Sequence, residues 1–325
     1  MSDIKRRTDL EALRVKFPNY IGTQIYPWFL REQSAGVINY YKLSDDFNVQ
    51  KGRDTAAVGS INTGMTLAGS HMSYQCGEAR ARARMSYTEI KSYKSQAKAD
   101  VALGKKSKRA WFNDHEQAVA DILMKKSGTD VKADPVTGID TAVADLVDLA
   151  AGPVALCLSR YNFVKLKKNA TIIDRMKMTG IAINAGGDPR SITAEQMAII
   201  FGVDKVLIGP DKQWFKGVGS SYNGNAALVV LPDEYVEPDE EPQLGRTVSF
   251  DYNSDTSYFV MESFHDNLTD ADYVDAKGLY VIKTFNSELA KTLTLFNGVD
   301  DSSLVDSSVL DSSVVDSSVI ASSLI

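Results

Sequence analysis

Between residues 79 and 84 alanine and arginine alternate without a break: Ala79, Arg80, Ala81, Arg82, Ala83, Arg84. A side-chain period of two belongs to a β-strand, whose successive residues point to opposite faces. The segment is therefore predicted to be a strand with one alanine face and one arginine face. No aromatics interleave the arginines, so carboxylates suit that face better than the phosphates of a nucleic acid. The chain carries carboxylates in bulk elsewhere. From 77 to 109 ten basic residues stand against three acidic ones, a net of +7, and from 232 to 278 thirteen acidic residues stand against Arg246 and Lys277, a net of −11. Segments of opposite sign can pair within a molecule or, in an assembly, between copies.

The average hides this polarity. The 325 residues carry 36 basic and 42 acidic side chains, a net of −6, which argues against a protein that coats nucleic acid electrostatically. Apolar residues make up 44% and charged residues 24%, as in ordinary globular proteins, so disordered, collagenous and membrane classes fit poorly. Apolar runs such as 154–158 and 197–201 fall far short of the roughly 18 residues of a membrane helix. The charged N-terminus lacks the apolar core of a signal peptide, so a cytoplasmic site of synthesis is expected. Cys76 and Cys157 are far apart and read as small core residues, which excludes a disulfide framework.

Along the chain, residues 1–36 read as an arm in which Phe17, Tyr20, Ile25, Tyr26, Trp28 and Phe29 gather beside Pro18 and Pro27. Such an aromatic cluster is expected to dock onto another surface. Residues 37–93 read as a long two-stranded excursion with a flexible tip, marginal unless a partner surface supports it. Residues 108–126 carry the clearest helical pattern, closed by Gly128. Further helices are predicted over 141–151, 161–168, 194–201 and 287–296, and strands over 154–158, 205–208, 247–252, 258–262 and 279–285. Thr193 and Gln196 stand at capping-box spacing before the 194–201 helix, and Gly202 follows it. The fold class is α+β with mixed sheets. The segment 232–242 is a proline-bounded acidic loop displaying Asp239, Glu240 and Glu241. Residues 301–325 repeat DSSLV-like units five times. They read as a low-complexity extension, or as a pentapeptide coil too short to hold a core alone.

Enzymatic chemistry finds little footing. His71, His115 and His265 are isolated, and no zinc, cysteine-pair or hydrolase-triad motif is present. Gly217, Gly219 and Gly224 lack the strand-to-helix context and the lysine of a phosphate loop. Asp270, Asp272 and Asp275 lack the glycine and terminal glutamate of a calcium loop, and read as a solvated acidic segment. No catalytic residue, cofactor or metal is expected.

The order of the segments does carry a resemblance. The stretch MKMTGIAINAGGDPRSITAEQMAIIFGVDKVLIGP (176–210), preceded by VALCLSRYNFVKLKKNATIIDR (154–175), resembles the axial-domain core of tailed-bacteriophage major capsid proteins of the Hong Kong type. FPNYIGTQIYPWF resembles that family's docking arm, GVINYYKLSDDFNVQKGRDTAAVGS its extended loop, SYQCGEARARA the return strand, and 108–126 its spine helix. The resemblance covers roughly residues 15–299 and lies in the ordered set rather than in one motif.

It implies an arm (1–36), an extended loop (37–93), a peripheral domain with the spine helix (94–135), an axial domain (136–245), shared return strands with a terminal helix (246–300) and the repeat tail (301–325). It further implies a non-enzymatic head protein that builds hexamers and pentamers of an icosahedral shell around double-stranded DNA, assembled in the host cytoplasm and located in the virion. Portal protein and a separate scaffolding protein are the implied partners, because no leader precedes the arm that would serve as a fused scaffold. Tyr26, Trp28, Phe29, Arg80, Arg82, Arg84, Trp111, Asp239, Glu240 and Glu241 are the candidate inter-subunit contacts. An arm without a partner, a hairpin unstable alone and unmatched charge are liabilities in a monomer and useful in a lattice. The alternatives are an encapsulin-like nanocompartment shell and, from another class, a cytoplasmic α/β enzyme.

Overall fold

The computed structural model describes residues 5–12, 20–41, 69–93, 95–124, 128–149, 152–178, 192–210, 224–233, 236–250 and 258–296. The tip of the excursion, Gly217, Gly219 and the repeat tail lie outside the described residues. In chain order come β1 (Lys5–Arg6), α1 (Thr8–Glu11), α2 (Gly22–Ile25), β2 (Trp28–Arg31), β3 (Ala35–Tyr41), β4 (Gly69–Gln75), β5 (Gly77–Ser86), α3 (Tyr87–Ser92) and α4 (Gln96–Met124). There follow β6 (Thr129–Asp130), α5 (Pro135–Leu149), β7 (Val154–Leu158), α6 (Arg160–Lys167), α7 (Ala170–Met178), α8 (Ala194–Phe201), β8 (Lys205–Ile208) and β9 (Asn225–Val230). The last elements are β10 (Gly245–Phe250), β11 (Val260–Asp266), β12 (Ala271–Thr284), a 3-10 turn (Ser287–Leu289) and β13 (Ala290–Thr294).

Two sheets and a hairpin organise the chain, giving the α+β class. In the six-stranded sheet β12 is the spine: it pairs with β11 through residues 271–277, with β10 through 280–284, and with β5 on its other edge through 271–280, all antiparallel. β1 extends β11, and β2 joins β10 in parallel. The five-stranded sheet runs β6-β13-β9-β7-β8. Its central strands β7 and β9 are apolar almost throughout and buried on both faces, as helix-covered strands are. The helix α8 starts at the predicted capping box, Gln196 N–H donating to Thr193 Oγ1 at 3.3 Å and Thr193 N–H to Gln196 Oε1 at 2.9 Å. It stops at Gly202, whose φ of +64° is the left-handed conformation that glycine adopts without strain.

α4 joins the two sheets. Ala99, Leu103, Ser107, Trp111, His115, Val119 and Leu123 recur every four residues and are all buried. At 3.6 residues per turn such a row shifts by about 40° with each step, so the buried stripe winds around the helix. Its first half faces β5 and β12, where Leu103 and Trp111 meet Ala81, Ala83, Val274 and Ala276. Its second half enters the core of the five-stranded sheet through Val119, Ala120 and Leu123.

Several expectations are corrected. The helix read from 108 begins at Gln96, because the Lys- and Ala-rich turns before Lys108 hide their few buried positions among charged ones. The helix read over 287–296 is a short turn followed by β13, which pairs with β9 in antiparallel register from Ala290 opposite Val229 to Thr294 opposite Asn225. Among the described residues of 37–93, β3 and β4 alone form the two-stranded excursion. The arginine strand β5 leaves it after Cys76 and joins the six-stranded sheet.

Candidate assembly surfaces

The alanine face of β5 is buried and the arginine face is not, as the alternation requires. The arginines, however, find their carboxylate in the same chain. Asp275 on β12 is fully buried and accepts from Arg80 Nε at 2.7 Å, from Arg80 Nη2, from Arg82 Nε at 2.8 Å and from Arg82 Nη2 at 3.1 Å. Arg82 also lies over the stacked rings of Phe264 and Tyr273. The antiparallel register sets Arg82 opposite Asp275 and Arg80 two residues along, while both guanidiniums keep more than a third of their surface exposed. Arg84 stays exposed at the end of the strand, its charge felt by Glu89 and Asp266.

The aromatic arm docks on its own chain as well. β2 lies beside β10, with Trp28 opposite Thr247. The Trp28 ring stacks on His115 at 4.6 Å, Tyr258 at 4.8 Å and Trp111 at 5.5 Å. Trp111 is itself buried and donates from Nε1 to the Ala79 carbonyl at 3.3 Å. Tyr26 is fully buried; its hydroxyl meets Thr284 Oγ1 at 3.0 Å, and burial pushes the phenol up to about 12. Tyr26 and Trp111 are therefore internal packing residues and not the inter-subunit contacts expected of them, whereas Trp28 is half-buried. Phe29 is half-buried beneath the Arg31 guanidinium. The docking is locked by Glu116, a buried carboxylate on α4 that accepts from the Ile21 and Gly22 amides at 2.7 and 2.9 Å. Asp239, Glu240 and Glu241, by contrast, stand exposed on a surface turn.

Arg246 holds that turn from beneath. It is buried, accepts nothing, and donates to Gln243 Oε1 at 2.8 Å, to the Val236 carbonyl at 2.6 Å and to the Asp233 carbonyl. Gln243 in turn donates to the Val236 and Glu237 carbonyls at 2.9 and 3.2 Å. Arg246 has no assigned role in the sequence reading, although being the one cation between 232 and 276 was a signal for it. Asp270 occupies the turn before β12 at φ +42°, Asp272 pairs with His265 Nδ1 at 2.7 Å, and Asp275 serves the arginines, so the three aspartates have separate tasks. Among the described residues no group of three or more His, Cys, Asp or Glu side chains is arranged to hold a metal ion.

A docked arm, a two-stranded hairpin, a long helix lying across one sheet and a second helix-flanked sheet define the class: the chain has the tailed-phage capsid fold. In particular, it is similar to a phage-related protein from Bordetella bronchiseptica RB50, with a TM-score of 0.62 and 17% identity over 89% of this chain and 96% of that one. The capsid protein of cyanophage P-SCSP1u gives 0.53 and 11% over 88% of this chain and 91% of that one. The holo-SrpI encapsulin of Synechococcus elongatus PCC 7942 gives 0.50 and 8% over 88% and 90%. No protein-family model and no curated protein matches the sequence.

Proposed function

We propose that this chain is a major capsid protein, a non-enzymatic subunit that self-assembles into the hexamers and pentamers of an icosahedral shell around double-stranded DNA. The observation that carries this reading is the extent of the likeness to a cyanophage capsid subunit, 88% of this chain against 91% of that one. Such coverage accounts for the arm, the hairpin and both sheets together rather than for one borrowed domain. The β3–β4 hairpin supports it: a two-stranded element is marginal alone in water and gains from any further surface that covers it. The net charge of −6 suits a shell that encloses DNA without gripping each phosphate. In this reading assembly takes place in the host cytoplasm, the product is the virion, and a portal and a separate scaffolding protein complete the set of partners.

A second reading has its own support. The likeness to the Synechococcus encapsulin, at a TM-score of 0.50, fits a nanocompartment shell equally in fold. The contents of particles purified from the native source separate the two. Nuclease-protected double-stranded DNA is the expected content; particles filled with a protein cargo and free of DNA would replace the capsid reading by the compartment. A discrete monomer or dimer with saturable binding of a small ligand would favour an enzyme and remove both.

A further inference from the structure

Beside Arg84 and the Arg80/Arg82 pair, which shares the one carboxylate of Asp275, basic charge faces solvent on α4. Ala99, Leu103, Ser107 and Trp111 bury one side of its first half, and Lys98, Lys105, Lys106 and Arg109 are exposed on the other. No carboxylate stands three or four positions from Lys98, Lys105, Lys106 or Arg109, so the helix carries like charges at that spacing without relief along its own face. A solvated helix face ordinarily interleaves both signs. Lys105 and Lys106 form no ion pair with any described residue. Lys106 does add to the field at Glu89, whose carboxylate is held by the Ser86 amide and hydroxyl. Between the cations Ala102 and Ala110 help line an open groove of about 400 Å³ that a partner's backbone can enter.

The complementary surface is the 237–241 turn. Glu237, Asp239, Glu240 and Glu241 are all exposed, and Asp239, Glu240 and Glu241 have no cationic partner among the described residues. Their backbone is fixed: the Glu240 amide donates to the Glu237 carbonyl at 3.1 Å, the Glu237 amide to Glu240 Oε2 at 3.0 Å, and Arg246 and Gln243 anchor the loop from inside. A rigid acidic turn and a basic groove that do not meet in one chain are the two unlike halves of a head-to-tail contact between identical copies. We propose that the Lys105/Lys106 face of α4 receives the acidic 237–241 turn of a second copy of this chain. The contact rests on the shell reading above and specifies one interface within it.

The test is a charge exchange in the full-length protein, with particles counted by electron microscopy and sedimentation, and folding followed by circular dichroism. Lys105→Glu with Lys106→Glu is expected to lower particle yield at least about tenfold, as is the triple change Asp239→Lys, Glu240→Lys, Glu241→Lys, because each sets like charges face to face. All five changes together restore yield to within about twofold of the unmodified chain, since the pairing is re-formed with its signs exchanged. Single exchanges that assemble normally, or a combined variant that stays blocked while folded, overturn the contact and leave the shell reading standing. An unmodified chain that never assembles, with scaffolding protein supplied, overturns both.

Discussion

His115 is buried with its Nε2 against Thr247 Oγ1 at 3.0 Å, its ring on Trp28, and no partner at Nδ1. Burial lowers its pKa from 6.5 to about 4, so the folded chain resists taking up a proton that the unfolded chain accepts. Stability is therefore unaffected by this residue above about pH 6.5 and falls as the pH drops from there toward 4, by roughly 3 kcal/mol in all. Urea melts of the chain across that window should show the decline, and His115→Phe should flatten it; an unchanged slope would mean that His115 is not the titrating group. Asp275 acts at lower pH. Burial raises its pKa, but hydrogen bonds from Arg82 and Arg80 outweigh that and hold the carboxyl below 3.8, so its contribution is complete above that value and lost as the pH falls through the folded one. Arg80→Ala alone is expected to cost about 1 kcal/mol, because Arg82 still covers the carboxylate, whereas removing both arginines costs roughly 3–5 kcal/mol by leaving a buried charge uncompensated. Denaturation midpoints that show simple additivity would contradict the shared-carboxylate geometry. The need of Arg80 and Arg82 for acid was legible in the alternation. That the acid is Asp275 was not, since the register that brings β5 beside β12 spans nearly two hundred residues and follows no spacing rule.

At the level of elements, α4 and β12 approach closely at Gly278. A Cβ there would stand 2.6 Å from Trp111 Cζ2 and 2.9 Å from the Tyr258 carbonyl, and neither the stacked indole nor the backbone can yield cheaply. Gly278→Ala is predicted to destabilise the chain by about 1–3 kcal/mol. Trp111→Phe in the same background recovers part of that loss, and a thermal melt that shows Gly278→Ala to be neutral would contradict the packing. Elements with strong local signals were readable: β7, α8 and β8 fall at their expected bounds because an apolar run, a capping box and a glycine stop each act within a few residues. β13 was not. Ala290, Lys291 and Leu293 favour helix in isolation, but pairing with β9 and the burial of Leu293 and Leu295 outweigh propensities worth a few tenths of a kcal/mol each. The aromatic arm shows the same limit from the other side: the sequence reveals that Tyr26 and Trp28 must dock, and only the fold reveals that the dock is β10 and α4 of the same chain.

In the whole molecule, the opposite charges of the two segments divide into an internal and an external share. Asp275 offsets one of the two charges of Arg80 and Arg82 across the β5–β12 pair, and Arg246 organises the acidic turn through carbonyl oxygens, leaving its carboxylates outside. What remains at the surface, a basic helix face, an acidic turn and a hairpin with no third strand among the described residues, is of use to a subunit surrounded by its own copies. The most direct measurement is negative-stain electron microscopy of the purified full-length protein, with scaffolding protein supplied in a parallel preparation. Closed shells of uniform diameter, built from five- and six-fold capsomers, are the predicted result. A homogeneous monomer or dimer in both preparations would contradict the account.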